Sequence, residues 1–238
     1  MTASVIVPRR FNGPLENGNG GYSAGLAAGF LEGPVEVTLR SPVPLDTPLR
    51  PIAEDGAVRL LAGDETILEA RRAPGFEIEV PGPVSAAQAR QAMARYLGEE
   101  TGPFSRCFVC GVAREDTLGV FSGRVEGRDI VASAWTPPQW TADGDGQVRP
   151  EFVWSVLDCP TFFGAYMDID VEELPLSFLG RLTARIEALP AIGEEHVLMS
   201  WPLGIDGRKA ESGVALLTAG GEVLAAARAV LIEPRKGE

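Results

Sequence analysis

Val148-Arg-Pro-Glu-Phe-Val-Trp-Ser-Val-Leu-Asp-Cys-Pro160 is the stretch from which the rest of the chain is read. Pro150 stands where a helix's first turn tolerates a residue without an N–H, and the run behind it is almost wholly apolar. The pattern predicts a buried helix over 150–166. A degenerate counterpart lies near the N-terminus, Asn19-Gly-Gly-Tyr-Ser-Ala-Gly-Leu-Ala-Ala28. It follows a loop rich in Gly, Asn and Pro over 11–21 and predicts a helix of small residues over 22–31, whose side chains let other backbones come close.

Both helices are followed by β-type runs. In the first half these are 35–40, 49–53, 57–61 and 66–73, punctuated by Pro42-Val-Pro44, Glu54-Asp-Gly56 and Gly63-Asp64. A further short strand is expected at 4–8. In the second half strands are expected at 119–125, 129–135, 179–188, 195–202, 209–218 and 222–233. Between the halves, 74–84 is rich in Pro and Gly, and 85–97 reads as a helix capped by Ser85. Val58, Leu60, Leu61, Leu68, Ala70, Arg72 and Ala73 recur as Val214, Leu216, Leu217, Leu224, Ala226, Arg228 and Ala229, at a constant offset of 156. The chain therefore reads as one small fold written twice: a unit over 1–83, a connecting helix and linker over 84–103, and a second unit over 104–238.

A net charge of −12 argues against a nucleic-acid or anionic-membrane partner, since both are held by a basic face. No stretch approaches the roughly 18 consecutive apolar residues of a spanning helix, and a cytoplasmic protein is expected. Three cysteines make no secreted disulfide framework. Cys107 and Cys110 form half of a zinc knuckle, but only Cys159 and His196 remain as further ligands of that type. A structural zinc site takes four ligands, so no metal is expected and the turn is read as carrying reduced thiols. Asn17-Gly-Asn-Gly-Gly21 is not a dinucleotide fingerprint, because no buried strand precedes it and no βαβ unit follows.

The second half resembles hotdog-fold acyl-CoA thioesterases of the phenylacetate-pathway type. The resemblance is carried by Cys107-Phe-Val-Cys-Gly111 with Leu118-Gly119, the helix 149–159, the strand Leu179-Gly-Arg-Leu-Thr-Ala-Arg185, and Asp206-Gly-Arg-Lys209 with Leu224-Ala-Ala-Ala-Arg-Ala229. It covers residues 104–234 and, more weakly, 5–73. It implies an α+β double hotdog, with two antiparallel curled sheets each wrapping a central helix and the halves paired as a pseudo-dimer.

In that family the helix often begins His-Gly-Gly and carries a carboxylate nine residues after the His. Here the second helix has Arg149 in the His position and Asp158 nine later, with Pro150 and Glu151 in place of the glycines. The first has Asn19, Gly20 and Gly21, but Ala28 where the acid belongs. One half keeps the glycine amides and the other the acid. Pairing as family protomers do would join them in one composite site, with Asp158 as base or nucleophile, Gly20 or Gly21 donating to the oxyanion, and Asn19 assisting.

The resemblance implies an acyl thioester of CoA or of an acyl carrier protein as substrate, with no cofactor beyond the CoA of the substrate and a homodimer of double hotdogs as a possible assembly. Tyr22, Phe152 and Trp154 are candidate walls for the acyl group. Arg181, Arg185, Arg208 and Lys209 are candidate phosphate contacts, or else solvated strand charges. The lesser alternative for a buried Asp158 is a capped or hydrogen-bonded structural acid. The single His196 makes hydratase chemistry, which relies on a His paired with a carboxylate, a poor fit. The competing reading is a non-catalytic hotdog protein that binds an acyl or aromatic ligand.

Overall fold

The computed structural model describes residues 4–14, 16–96, 98, 102–169 and 173–235. Among them run three α-helices, α1 (Gly20–Ala28), α2 (Ala86–Met93) and α3 (Pro150–Ala165). The ten strands are β1 (Val35–Leu39), β2 (Arg50–Glu54), β3 (Ala57–Ala62), β4 (Glu65–Arg72), β5 (Gly123–Arg124), β6 (Val131–Trp135), β7 (Phe178–Ile186), β8 (His196–Asp206), β9 (Lys209–Thr218) and β10 (Val223–Ile232). All ten join one antiparallel sheet in the order β2-β3-β4-β1-β7-β10-β9-β8-β6-β5.

The two separate sheets expected from sequence are thus one. β1 pairs with β7, Val35 opposite Ala184 and Val37 opposite Leu182. Had β1 and β7 ended two sheets, each would have presented a row of unpaired N–H and C=O groups; pairing them removes both edges. The expected strand at 4–8 is reduced to a bridge between Val5 and Leu49, and that at 119–125 to Gly123–Arg124.

One sheet face carries α1 and α3. Val35, Val37, Leu60, Leu68, Leu182, Ala184, Leu198, Val214 and Leu216 pack there against Tyr22, Ala24, Phe152, Val153, Val156 and Leu157. Eight of the nine α1 residues are buried, all but Leu26, which accounts for its lack of a polar stripe: a helix enclosed on every side needs none. The opposite face of β6 and β8 is covered by α2, and Ala89 and Ala92 join Val84, Ala132, Val197, Met199, Ala215 and Leu217 in a second apolar cluster there. β8 and β9 therefore bury alternate residues on both faces, which is why they read as continuous apolar runs.

The segment between the halves does more than connect them, since α2 seals the back of the sheet. Ser85 caps it as expected: its hydroxyl accepts from Gln88 N at 3.3 Å and Gln88 Oε1 accepts from Ser85 N at 3.1 Å. The helix ends at Met93, and position 97 lies outside the described residues. Over β1, β4 and β7 the same outer sheet face is solvated and carries charges, Arg71 pairing with Glu36 at 2.7 Å and Arg40 with Glu69. Exposed pairs of this kind contribute about 0.2–1 kcal/mol each.

Candidate functional site

The site begins at the N-terminus of α1, where backbone N–H groups have no partner within the helix. Asn19 caps it from an extended conformation, its Oδ1 accepting from Tyr22 N at 2.8 Å, while the Ser23 hydroxyl donates to Asn19 O at 2.7 Å. The Gly21 N–H is taken by a residue 137 positions away: it donates to Asp158 Oδ2 at 2.8 Å. The Gly20 N–H has no acceptor among the described residues.

Glycine is required at this crossing. A Cβ on Gly21 would lie 2.5 Å from Trp154 O and 2.6 Å from Asp158 Cβ, and one on Gly25 would lie 2.6 Å from Glu151 Cα. The pair Gly21 and Gly25, one turn apart, lets the α1 backbone rest directly on α3, and that close approach brings the Asp158 carboxylate within reach of the α1 amide.

Asp158 is only 9% exposed. Burial pushes its carboxyl up to about 7; the Gly21 amide works against that shift and the charge at Cys107 adds to it. Three thiols stand beside it. The Sγ atoms of Cys107, Cys110 and Cys159 lie within 4.8 Å of one another, and Asn19 Nδ2 reaches both Cys107 Sγ (3.8 Å) and Cys159 Sγ (3.9 Å).

All of these border a cavity of about 830 Å³ whose lining is mainly apolar, with Phe104, Phe162, Phe163, Phe178, Leu176 and Leu179 among its walls. Its size is that of a pocket for a drug-sized or larger ligand. Asn19, Gly20, Asp158 and Arg208 also line it, Arg208 Nη1 donating to Glu233 O at 2.6 Å.

Neither a family model nor a curated protein matches the chain. Solved structures do. An acyl-CoA thioesterase II, TesB2, from Mycobacterium marinum aligns over 94% of this chain and 92% of its own, at 12% identity and a TM-score of 0.59. A tesB protein of Mycobacterium avium subspecies paratuberculosis aligns over 91% and 87%, at 13% identity and a TM-score of 0.58. A conserved protein of unknown function with a hot dog fold, from Alicyclobacillus acidocaldarius, aligns over 92% and 88%, at 11% identity and a TM-score of 0.56. This chain has the hotdog fold. At such identities the likeness concerns architecture, and the chemistry rests on the residues themselves.

Of the candidate residues, the hotdog core brings Asn19, Gly20, Gly21 and Asp158 together. Tyr22, Phe152 and Trp154 are placed elsewhere: they do not line the cavity. Tyr22 and Phe152 belong to an aromatic core with Phe11, Phe108 and Trp140, Phe11 and Tyr22 stacking at 4.4 Å, and Trp154 packs under Gly25. The reason is helical geometry. Asp158 lies on the α3 face turned to the α1 N-terminus, whereas Phe152, six residues earlier, faces deeper into the core.

Arg181 and Arg185 also fall outside the cavity. Both alternate with the buried Leu182 and Ala184 on β7 and so face the outer side of the sheet, Arg181 near Glu36 at 3.6 Å and Arg185 paired with Glu187. Accordingly, Arg181→Ala and Arg185→Ala should leave the dissociation constant of any ligand that fills the cavity within about twofold of wild type, the scale of surface changes that touch no ligand.

The sequence reading did not pick out Phe104, Phe162, Phe163 and Tyr96 as cavity residues. The signal was present for two of them: Phe162-Phe163 continue the apolar run of α3 past Pro160, beyond what burial against the sheet alone requires. At the opposite helix start the pairing is closed, since Arg149 bonds Glu151 at 3.4 Å, Pro150 has no N–H, and Gly25 abuts Glu151.

Proposed function

We propose that the chain hydrolyses acyl thioesters, of coenzyme A or of an acyl carrier protein, at a single composite site built from the start of α1 and the middle of α3. In this reading residues 1–83 and 104–238 are two fused hotdog units. The halves β2-β3-β4-β1 and β7-β10-β9-β8 run outward from their seam in matching order, which supports that division.

The observation that carries the proposal is the 2.8 Å contact of Gly21 N with Asp158 Oδ2, which holds an acid lining the apolar cavity against the start of α1 beside the cavity-lining Gly20. The acyl group lies among the phenylalanine and leucine walls. The thioester carbonyl approaches the α1 N-terminus, where the absence of a Cβ and the partial positive charge of the helix end favour a developing oxyanion. Asp158 takes a proton from water as the oxygen bonds to the carbonyl carbon. Collapse of the tetrahedral intermediate breaks the C–S bond, and the proton held by Asp158 passes to the departing thiolate, giving a carboxylic acid and a free thiol.

One feature of the geometry favours a second reading, a carrier or sensor of acyl ligands: the Gly21 N–H is already saturated by Asp158, leaving Gly20 as the free backbone donor. Thiol release from short-chain, long-chain and aromatic acyl-CoAs separates the two. Turnover well above the no-enzyme rate supports hydrolysis and identifies the acyl class. Saturable binding of the same esters without thiol release would replace it with the second reading.

A further inference from the structure

The thiol trio has a geometry that the hydrolytic reading leaves unused. Cys107 and Cys110 come from the turn 104–113 and Cys159 from α3, so three sulfurs separated by up to 52 residues converge behind Asn19. The Cys107 and Cys159 Sγ atoms stand 3.8 Å apart, far beyond the roughly 2.05 Å of a disulfide. A tetrahedral ion with metal–sulfur bonds of about 2.3 Å sets its sulfurs about 3.8 Å apart, the length of the Cys107–Cys159 edge, and all three sulfurs lie within 4.8 Å of one another.

The turn is shaped around the first sulfur. Gly111 N donates to Cys107 O at 2.8 Å, and a Cβ on Gly111 would lie 2.5 Å from Ser105 O, so the chain folds tightly back after Cys110. Cys107 is buried, and its sulfur lies 3.8 Å from Cys159 Sγ. Asn19 Nδ2 adds a donor shared by two of the sulfurs, the outer-shell support that orients metal ligands. His196, the single imidazole of the chain, lies on β8 with its Nδ1 2.9 Å from Glu194 O, apart from this cluster.

We infer that Cys107, Cys110 and Cys159 form a three-thiolate site for Zn2+, with the fourth coordination position opening on the cavity that all three residues line. The expectation of no metal, drawn from the need for four protein ligands, applies to a closed structural site; an open site is completed by water or by a donor atom of a bound ligand. The ion ties the turn 104–113 to α3 and, through Asn19, to the start of α1. This site does not depend on thioester hydrolysis.

The test is titration of the reduced, metal-free full chain with Co2+, followed by Zn2+. The expected result is one Co2+ per chain, with a thiolate-to-cobalt charge-transfer band of three-sulfur intensity and the strong d–d bands of a tetrahedral ion. Zn2+ should then displace the cobalt, as its higher affinity for such sites requires. Cys159→Ser should abolish stoichiometric binding, Asn19→Ala should weaken it about 10- to 100-fold, and His196→Ala should leave it unchanged. A wild-type chain that shows no charge-transfer band overturns the inference, and so do equal bands in Cys159→Ser. The wild-type spectrum decides the question even where a variant fails to fold.

Discussion

Replacing Asp158 with Asn should lower kcat for thioester hydrolysis by about 10²- to 10⁴-fold, the usual contribution of a positioned general base, with the fold retained. The substitution is nearly isosteric. Asparagine Oδ1 can still accept from Gly21 N, so the 2.8 Å contact that joins α1 to α3 survives, while the carboxylate that the proposed mechanism uses to take a proton from water is gone. Stability provides the second readout. Asp158 is buried, and an amide carries no charge into that interior, so the variant should melt no lower than wild type at neutral pH. The two measurements together distinguish the roles. Unchanged turnover with an unchanged melt would remove Asp158 from the mechanism. Lost turnover with a collapsed melt would mark it as a structural cap of α1.

Gly21→Ala and Gly25→Ala should each destabilise the fold by about 3 kcal/mol, the upper part of the range for overpacking a filled interior. In a domain of this size that lowers the midpoint of thermal unfolding by roughly 6–12 °C. The magnitude follows from what the new methyl group meets: at Gly21 the Trp154 carbonyl oxygen at 2.5 Å, and at Gly25 the Glu151 Cα at 2.6 Å, both backbone atoms that no rotamer change can move. The helices must part, and Gly21 N must then withdraw from Asp158. Turnover should therefore fall in Gly21→Ala even below its melting temperature. Gly29→Ala is the control. Its nearest neighbour would be 3.5 Å away and its φ is −60°, so it should be neutral or stabilise by about 0.4–1 kcal/mol through the unfolded chain. Equal melting points for all three variants would mean that the two helices do not approach as closely as described.

Period and composition made much of the architecture legible. Apolar helical runs after turn-rich loops located α1 and α3, short apolar runs between turn signals located most strands, and Ser85 announced its helix, because each of these signals is local. The residues that meet where α1 crosses α3, Asn19, Gly20, Gly21 and Asp158, were named by the resemblance to the thioesterase motif rather than by any property of their spacing alone, and the close packing of the two helices brings them together.

Three matters were decided only by tertiary structure. The union of β1 with β7 into one sheet rests on backbone hydrogen bonds, which every non-proline residue can make and which therefore leave no mark in the residue types. The placing of Arg181 and Arg185 on the outer face depends on which side of β7 the helices occupy. Alternation shows that they share a face but not which one. The meeting of Cys159 with Cys107 and Cys110 depends on how the turn 104–113 folds onto α3, a contact across 52 residues. Sequence determined which residues were available to the site, and the packing of α1 on α3 through two glycines decided which of them face the same cavity.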